Sequence, residues 1–372
     1  MVDLKGQYEK IKSEVDNAIS DVLNNTNFIN GPQVKELEKK LVEYLEFSGD
    51  CISCANGTDA LQIAMMALGL KPGDEIIVPS FTYIATVEAA ALLGIRPVFV
   101  DSHPDTFNIN IEKIKNKISF RSRAIVPVHL YGQCADMEAV TKLAKDNDLY
   151  IIEDVAQALG AEYIFKDKKK KKAGTIGDIS ITSFFPSKNL GCYGDGGAIF
   201  TKDPLLAEKI KMIANHGQKE KYYHDIIGLN SRLDTIQAAI LQIKLKELEK
   251  FTKARQQAAA YYDKKLANHS YIQIPYRDSH STHVFHQYTI KLSGVDRNKF
   301  KKYLEEKSIP TMIYYPVPVH LQKGYSYLGY KEGDFPIAED LCKNVISLPI
   351  HTELDEEQLS YITEHILNFF NK

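Results

Sequence analysis

The sequence predicts an α/β fold, with a mostly parallel central sheet flanked by helices and a smaller α+β domain at the C-terminus. Short apolar runs of strand length alternate with amphipathic helical stretches from near residue 50 onward. Most of these runs are continuous rather than alternating, as expected of strands buried on both faces, and the helices between them imply right-handed crossovers. A long helical pattern over Asp234 to Gln257 then links this region to one in which strands and helices follow in a different order. At 372 residues and 44% hydrophobic content the chain can bury a large core. We expect a large domain over 1–250 and a small one over 251–372.

In chain order, an N-terminal helix around Tyr8 to Leu23 is expected to pack beside the smaller domain. Strands are expected at Glu75–Val78, Pro97–Val100, Ala124–Val128, Tyr150–Ile152, Ile179–Thr182 and Ala198–Phe200. Helices are expected over Thr58–Leu70, Met137–Asn147 and Leu205–Ala214. The 234–257 helix carries apolar Ile236, Ala239, Ile240, Ile243 and Leu248. Beyond it, strands near Ile272 and Gln287 alternate with helices over Arg297–Lys307 and Asp355–Phe370. His283-Val284-Phe285-His286 alternates with apolar neighbours and reads as part of a strand of the smaller domain. The run Lys168 to Lys172 reads as a solvated hairpin tip, with attraction of a nucleotide diphosphate as the competing reading.

Composition excludes several classes. Forty-six basic and 48 acidic side chains leave no global field for holding nucleic acid. The N-terminus is charged where a secretory signal needs an apolar core, and no apolar run reaches membrane-spanning length, so a cytoplasmic enzyme with no membrane partner is expected. Five cysteines argue against a disulfide framework, and Cys51-Ile52-Ser53-Cys54 has no second ligand pair for zinc, so core packing is expected there and no metal.

Lys188 stands in Ser183-Phe184-Phe185-Pro186-Ser187-Lys188-Asn189-Leu190-Gly191, between two aromatic residues and a glycine turn. An amine that forms a Schiff base must be partly neutral near pH 7, although free lysine has a pKa of about 10.4, so an apolar pocket is the setting it needs. Asp154 ends an apolar run of strand length, where ligands of an open parallel sheet bind; a strand-end aspartate capping a helix is the plainer reading. Asn56-Gly57-Thr58 opens a helix, whose free N–H groups and dipole suit a phosphate. Together a lysine, a carboxylate and a phosphate cradle are the parts that hold pyridoxal phosphate.

The chain resembles the DegT/DnrJ/EryC1/StrS sugar aminotransferases, fold-type I pyridoxal phosphate enzymes, from Asp3-Leu4-Lys5 and Phe28-Ile29-Asn30-Gly31-Pro32 through Tyr314-Tyr315-Pro316 to Ser347-Leu348-Pro349. Cys51–Leu61, Leu130–Asp136, Ser183–Thr201 and Asn230–Ala239 resemble the branch that aminates C3 of UDP-2-acetamido-2-deoxy-3-oxo-hexuluronates. The segment Tyr315–Phe335 is as similar to the branch acting on dTDP-3-keto-6-deoxyhexoses, and Tyr314 stands where the uronate branch carries histidine.

The resemblance implies that Lys188 is the Schiff-base lysine and proton shuttle, that Asp154 pairs with the pyridine nitrogen, and that Gln157 lies beside the ring. It implies stacking by Tyr83, for which a buried core aromatic is the alternative, and phosphate binding by Gly57, Thr58, Ser183 and, from the other subunit, Asn230. Thr26, Phe28, Ser187, Tyr314, Tyr315 and, from the other subunit, Arg232 are the implied nucleotide-sugar contacts. The implied reaction takes the amino group from L-glutamate, passes through pyridoxamine phosphate, and delivers it to a 3-keto nucleotide sugar for surface polysaccharide. Shared active sites imply a homodimer. Relatives that dehydrate sugars carry histidine in place of Lys188, and a non-catalytic regulator on the same fold has little need for Lys188, Asp154 and Gln157 together.

Overall fold

Seven strands build the central sheet, in the spatial order Asp50–Cys54, Gly197–Thr201, Ile179–Ser183, Tyr150–Asp154, Ser122–Ile125, Glu75–Pro79 and Arg96–Val100. The computed structural model describes residues 1–371, so residue 372, the last of the expected C-terminal region, lies outside the described residues. Five of these strands, from Ile179–Ser183 to Arg96–Val100, run parallel to one another; Gly197–Thr201 is antiparallel to both its neighbours. The β-branched runs Ile76-Ile77-Val78 and Ile151-Ile152 are buried on both faces, which is why they read as continuous apolar stretches.

The edge strand Asp50–Cys54 was not foreseen; the C-x-x-C spacing there is its pleat, with Cys51 and Cys54 buried and free. The strand expected over Ala124–Val128 stops at Ile125, because Pro127 has no N–H for the ladder, and Val128 keeps only an isolated bridge to Asp154. The linking helix runs on to Leu266, since Gln256 to Leu266 contains no helix breaker. It passes residue 250 without a break, and Ala258, Ala259 and Tyr262 belong to the core of the C-terminal region. The N-terminal helix, Leu4–Asn25, lays Ile11 and Val15 on Ile240 and Ile243 of that helix. Its first two turns reach the C-terminal region, where Gln7 Nε2 donates to Thr352 Oγ1 at 3.4 Å and Lys10 pairs with Glu353.

The segment His283–His286 is not a strand. It crosses between the two cores, with Val284 in the core of the large region and Phe285 in that of the small one, and pairing resumes only at Tyr288–Leu292. The lysine run forms the tip and return strand of a hairpin, Glu162–Ile164 with Lys170–Lys172. Among the described residues no helix is long and apolar enough to cross a membrane.

Alternation along Tyr150–Asp154 sends Glu153 and Asp154 to opposite faces of the sheet. Glu153 is fully buried and accepts four hydrogen bonds: from His129 Nε2 at 2.9 Å, Gly174 N at 2.6 Å, Ile176 N at 3.1 Å and Gly177 N at 2.9 Å. Ala135 N–H donates to His129 Nδ1 at 3.1 Å, which leaves the proton on Nε2. Burial pushes the Glu153 proton affinity up, but His129 and the backbone donors outweigh it and hold the carboxyl below its usual range. A group with a depressed folded pKa stabilises fully above its unfolded pKa, about 4.3, and loses that contribution as pH falls through the folded value. Replacing Glu153→Ala strands the buried donors and is expected to cost about 3–5 kcal/mol. Urea unfolding at pH 7 measures this, and the gap to wild type should narrow below pH 4.

Candidate active site

A cavity of about 570 Å³ opens at the carboxyl ends of the parallel strands. Of the residues singled out in the sequence, Gly57, Thr58, Tyr83, Asp154, Gln157, Ser183, Ser187, Lys188, Tyr314 and Tyr315 line it. Asn230 and Arg232 line an adjoining cavity with Ile29, and Asp195 lines both. Thr26 and Phe28 line neither: Thr26 caps the first helix in the left-handed region (φ 53°), and Phe28 is 44% exposed.

Three backbones meet at one end. The helix Gly57–Ala67 begins there, and its cap residue Asn56 takes the N–H groups of Asp59 and Ala60, which leaves those of Gly57 and Thr58 open. A Cβ on Gly57 would lie 2.7 Å from Ser183 Cβ, and one on Gly197 would lie 2.5 Å from the Asn56 carbonyl oxygen. Ser183 Oγ accepts from Phe185 N–H at 3.2 Å, so its own proton is available to a ligand. Two N–H groups, a hydroxyl and the positive end of a helix make an anion cradle.

Asp154 is buried in the wall of the same cavity. Its Oδ2 accepts from Thr86 Oγ1 at 3.0 Å and its Oδ1 from Ala156 N–H at 3.1 Å. Burial raises its proton affinity above the usual carboxylate value, and the two donors and the field of Lys188 offset that only in part. Burial likewise lowers the pKa of Lys188 to about 8, against the pull of Asp154 in the other direction. The two aromatic neighbours divide: Phe184 is buried in the core, while Phe185 lines the cavity and is 52% exposed.

Gln157 spends its amide on two tyrosines. Its Oε1 accepts from Tyr131 N–H at 2.7 Å and its Nε2 donates to Tyr315 Oη at 3.0 Å. Tyr131 in turn donates its hydroxyl to the Tyr314 carbonyl. Tyr83 is 55% exposed, its ring 6.1 Å from that of Tyr315, and thus is not a core aromatic.

The sequence profile of the DegT/DnrJ/EryC1/StrS aminotransferase family matches residues 9–367. The chain belongs to that family. It is 45% identical to the pleiotropic regulatory protein of Geobacillus stearothermophilus, over all of this chain and 98% of the other. It is 43% identical to the UDP-2-acetamido-2-deoxy-3-oxo-D-glucuronate aminotransferase of Pseudomonas aeruginosa, over 99% of each chain. It is 40% identical to the dTDP-3-amino-3,4,6-trideoxy-alpha-D-glucose transaminase of Streptomyces venezuelae, over 96% of this chain and 92% of the other. The structure of S. venezuelae DesV in complex with a ketimine intermediate superposes with a TM-score of 0.95 at 38% identity, covering 100% of this chain and 98% of that one.

This DegT-family aminotransferase uses pyridoxal phosphate, and the cavity suits that cofactor. The cradle of Gly57, Thr58 and Ser183 fits a phosphate; Asp154 keeps lone pairs free for a pyridinium; Lys188 supplies an amine of lowered basicity. Thr82 Oγ1, His286 Nδ1 and Gln287 Oε1 are buried in the cavity-lining residues without partners, as in a site built for a polar ligand.

The polar lining residues Thr82, Thr86, Tyr131, Asp195, His286 and Gln287 were not singled out as site residues in the sequence. His286 was hidden by its apolar neighbours, and Tyr131 by the sharp turn it makes at φ 58°. Thr86 carried a signal, since it follows Tyr83 by three residues at the start of the helix Ala85–Leu92.

Gly57→Ala should weaken cofactor binding by tenfold or more, since the new Cβ displaces Ser183, while leaving far-UV circular dichroism unchanged; fluorescence titration of the apoprotein measures it. Reaction of Lys188 in the apoprotein with an amine-directed reagent should rise with pH through about 8. In Asp154→Asn the cation loses its stabilising neighbour, so the inflection should move lower; a value near that of free lysine would contradict the assignment.

Proposed function

We propose that this aminotransferase moves the amino group of L-glutamate to C3 of a nucleotide-linked 3-keto sugar, with UDP-2-acetamido-2-deoxy-3-oxo-hexuluronate as the preferred acceptor. The observation that carries the reading is the placement of Lys188, lowered to about pKa 8, in one cavity with the buried Asp154 and the phosphate cradle. Bound there, the cofactor supplies an electron sink when a substrate carbon loses its proton. The chain's own residues do the rest. Near pH 7 a minor fraction of Lys188 is neutral and can take that proton; as the ammonium it returns a proton at the same position. Thr86 and Ala156 orient Asp154, and its ionised form is favoured once a cation lies against its free lone pairs. Gln157 keeps the rings of Tyr131 and Tyr315 in the wall, and this apolar rim excludes water from the proton transfer.

Arg232 is the proposed reader of the sugar's anionic groups, because a planar guanidinium binds a carboxylate or diphosphate with two hydrogen bonds. Its place outside the Lys188 cavity of its own chain supports a homodimer in which Arg232 and Asn230 serve the partner's site. Tyr222, Tyr223 and Ile227 shortly before Arg232 in sequence, Ile29 of the same cavity and Phe28 next to Ile29 are exposed apolar residues, as suits a surface covered by a second copy. Thr26 and Phe28 then touch the nucleotide sugar only in the assembled dimer.

A dTDP-3-keto-6-deoxyhexose is the second reading, favoured by Tyr314, whose aromatic ring lines the cavity beside Tyr315 and suits a methyl at C6 better than a carboxylate. A purely regulatory role, the kind named for the Geobacillus relative, is disfavoured because Lys188, Asp154 and Gln157 all face one cavity.

Lys188→Ala should abolish turnover, with kcat down by at least about a thousandfold, while pyridoxamine phosphate still binds. To choose the acceptor, the enzyme loaded with pyridoxamine phosphate is offered each keto sugar in a single turnover, followed by absorbance. A response to the UDP-uronate alone supports the preferred reading; a response to the dTDP sugar alone replaces it with the second; none with either removes both.

A further inference from the structure

His286 forms part of the Lys188 cavity wall, yet nothing in the exchange above uses it. It is 6% exposed, and its Nδ1 has no hydrogen-bond partner among the described residues. Gln287 beside it is equally buried and lines the same cavity, and its Oε1 is also unpaired. Among the described residues its only hydrogen bond comes from its backbone N–H, which donates to the Tyr131 carbonyl at 3.3 Å. Neither Nε2 atom of this pair has a hydrogen-bond partner among the described residues, and buried polar groups are nearly always bonded, so two adjacent side chains with open nitrogens in a cavity wall point to a hydrogen-bond-accepting ligand.

The charge behind them narrows its chemistry. Arg255, on the helix Thr235–Leu266, is 4% exposed. Its Nη1 donates to the carbonyls of Phe285 at 3.2 Å, His286 at 3.4 Å and Ile350 at 3.0 Å, and its Nε is unpaired. Carbonyls orient a guanidinium without neutralising it, and no carboxylate of the described residues forms an ion pair with this one. A buried cation is ordinarily paired, because its charge is costly in low dielectric. Burial, Lys188 and Arg255 all oppose protonation of His286, so its ring is neutral, with one N–H to donate.

We propose that His286 and Gln287, with the charge of Arg255 behind them, form a carboxylate subsite of the Lys188 cavity. The imidazole N–H and the amide N–H groups donate to the carboxylate oxygens, and the anion offsets the guanidinium at short range. A sugar hydroxyl satisfies the open side chains but leaves Arg255 uncompensated, which is why an anion fits better. Resting on the proposed reaction, the carboxylate has two sources: the amino donor, or C6 of a uronate acceptor. Because Arg232 is already assigned to the sugar's anionic groups, the donor is the better occupant.

Glutarate, an unreactive five-carbon dicarboxylate, tests the subsite without turnover. The pyridoxal phosphate-loaded enzyme should bind glutarate in a calorimeter and ignore 1,5-pentanediol. His286→Phe and Gln287→Leu should each weaken glutarate roughly tenfold to a hundredfold, the loss expected for a hydrogen bond to a charged group. Arg255→Met should do the same, and if that chain does not fold, Arg255→Lys tests whether a retained charge preserves binding. The two half-reactions then identify the source. A loss confined to L-glutamate assigns the subsite to the donor, and one confined to the UDP-uronate assigns it to the acceptor. No glutarate binding by wild type, or unchanged affinity in both His286→Phe and Gln287→Leu, overturns the proposal. So does an equal loss that extends to the dTDP sugar, which carries no carboxylate, since that would mark a structural role. Wild type that binds glutarate but is inert toward every keto sugar removes the sugar reading and leaves the subsite standing.

Discussion

Two adjacent carboxylates on one strand, facing opposite sides of the central sheet, are the constraint on which this site is built. Glu153 is saturated by His129 and three backbone N–H groups, and its proton affinity falls. Asp154 receives only two donors, and burial keeps its proton affinity high. A carboxylate offers about four lone-pair positions, so the first is a structural anchor and the second is left with capacity for a cation. The anchor also holds the turn after Lys172 in place, since Gly174, Ile176 and Gly177 all bind Glu153.

The phosphate cradle depends on a different constraint, close approach of backbone. Gly197 sits in register between Cys54 and Ser183, at the start of the one strand of the central sheet that is antiparallel to both its neighbours. That insertion lets the turn at Asn56-Gly57 pass against both Gly197 and Ser183 at distances no Cβ would allow. Sheet topology and two missing side chains therefore create one feature, a row of open N–H groups at the foot of a helix.

The C-terminal region supplies the remaining wall. Tyr314 and Tyr315 come from beyond residue 300 and are tied to Tyr131 and Gln157 by hydrogen bonds. The helix Thr235–Leu266 carries Arg255 to the back of His286, and Ile350 adds a third carbonyl to the same guanidinium. The two regions are thus joined by polar contacts around the cavity itself, and a movement of one against the other would change the cavity's shape.

By itself the sequence determined the α/β class, six of the seven central strands and the local settings of Lys188, Asp154 and Gly57. Each of these is written within a few residues: an apolar run with its terminal acid, a helix start with its cap, a lysine before a glycine turn. It also carried the family resemblance, because that likeness is spread along the whole chain. Only the tertiary structure decided that Cys51 and Cys54 belong to an edge strand and that His283–His286 is a crossing rather than a strand. It alone brought His286, Gln287 and Tyr131 into the Lys188 cavity. The reason is that burial, unpaired atoms and the fields of distant charges are sums over groups far apart in sequence. Arg255 and His286 are 31 residues apart, and no local pattern records that one stands behind the other.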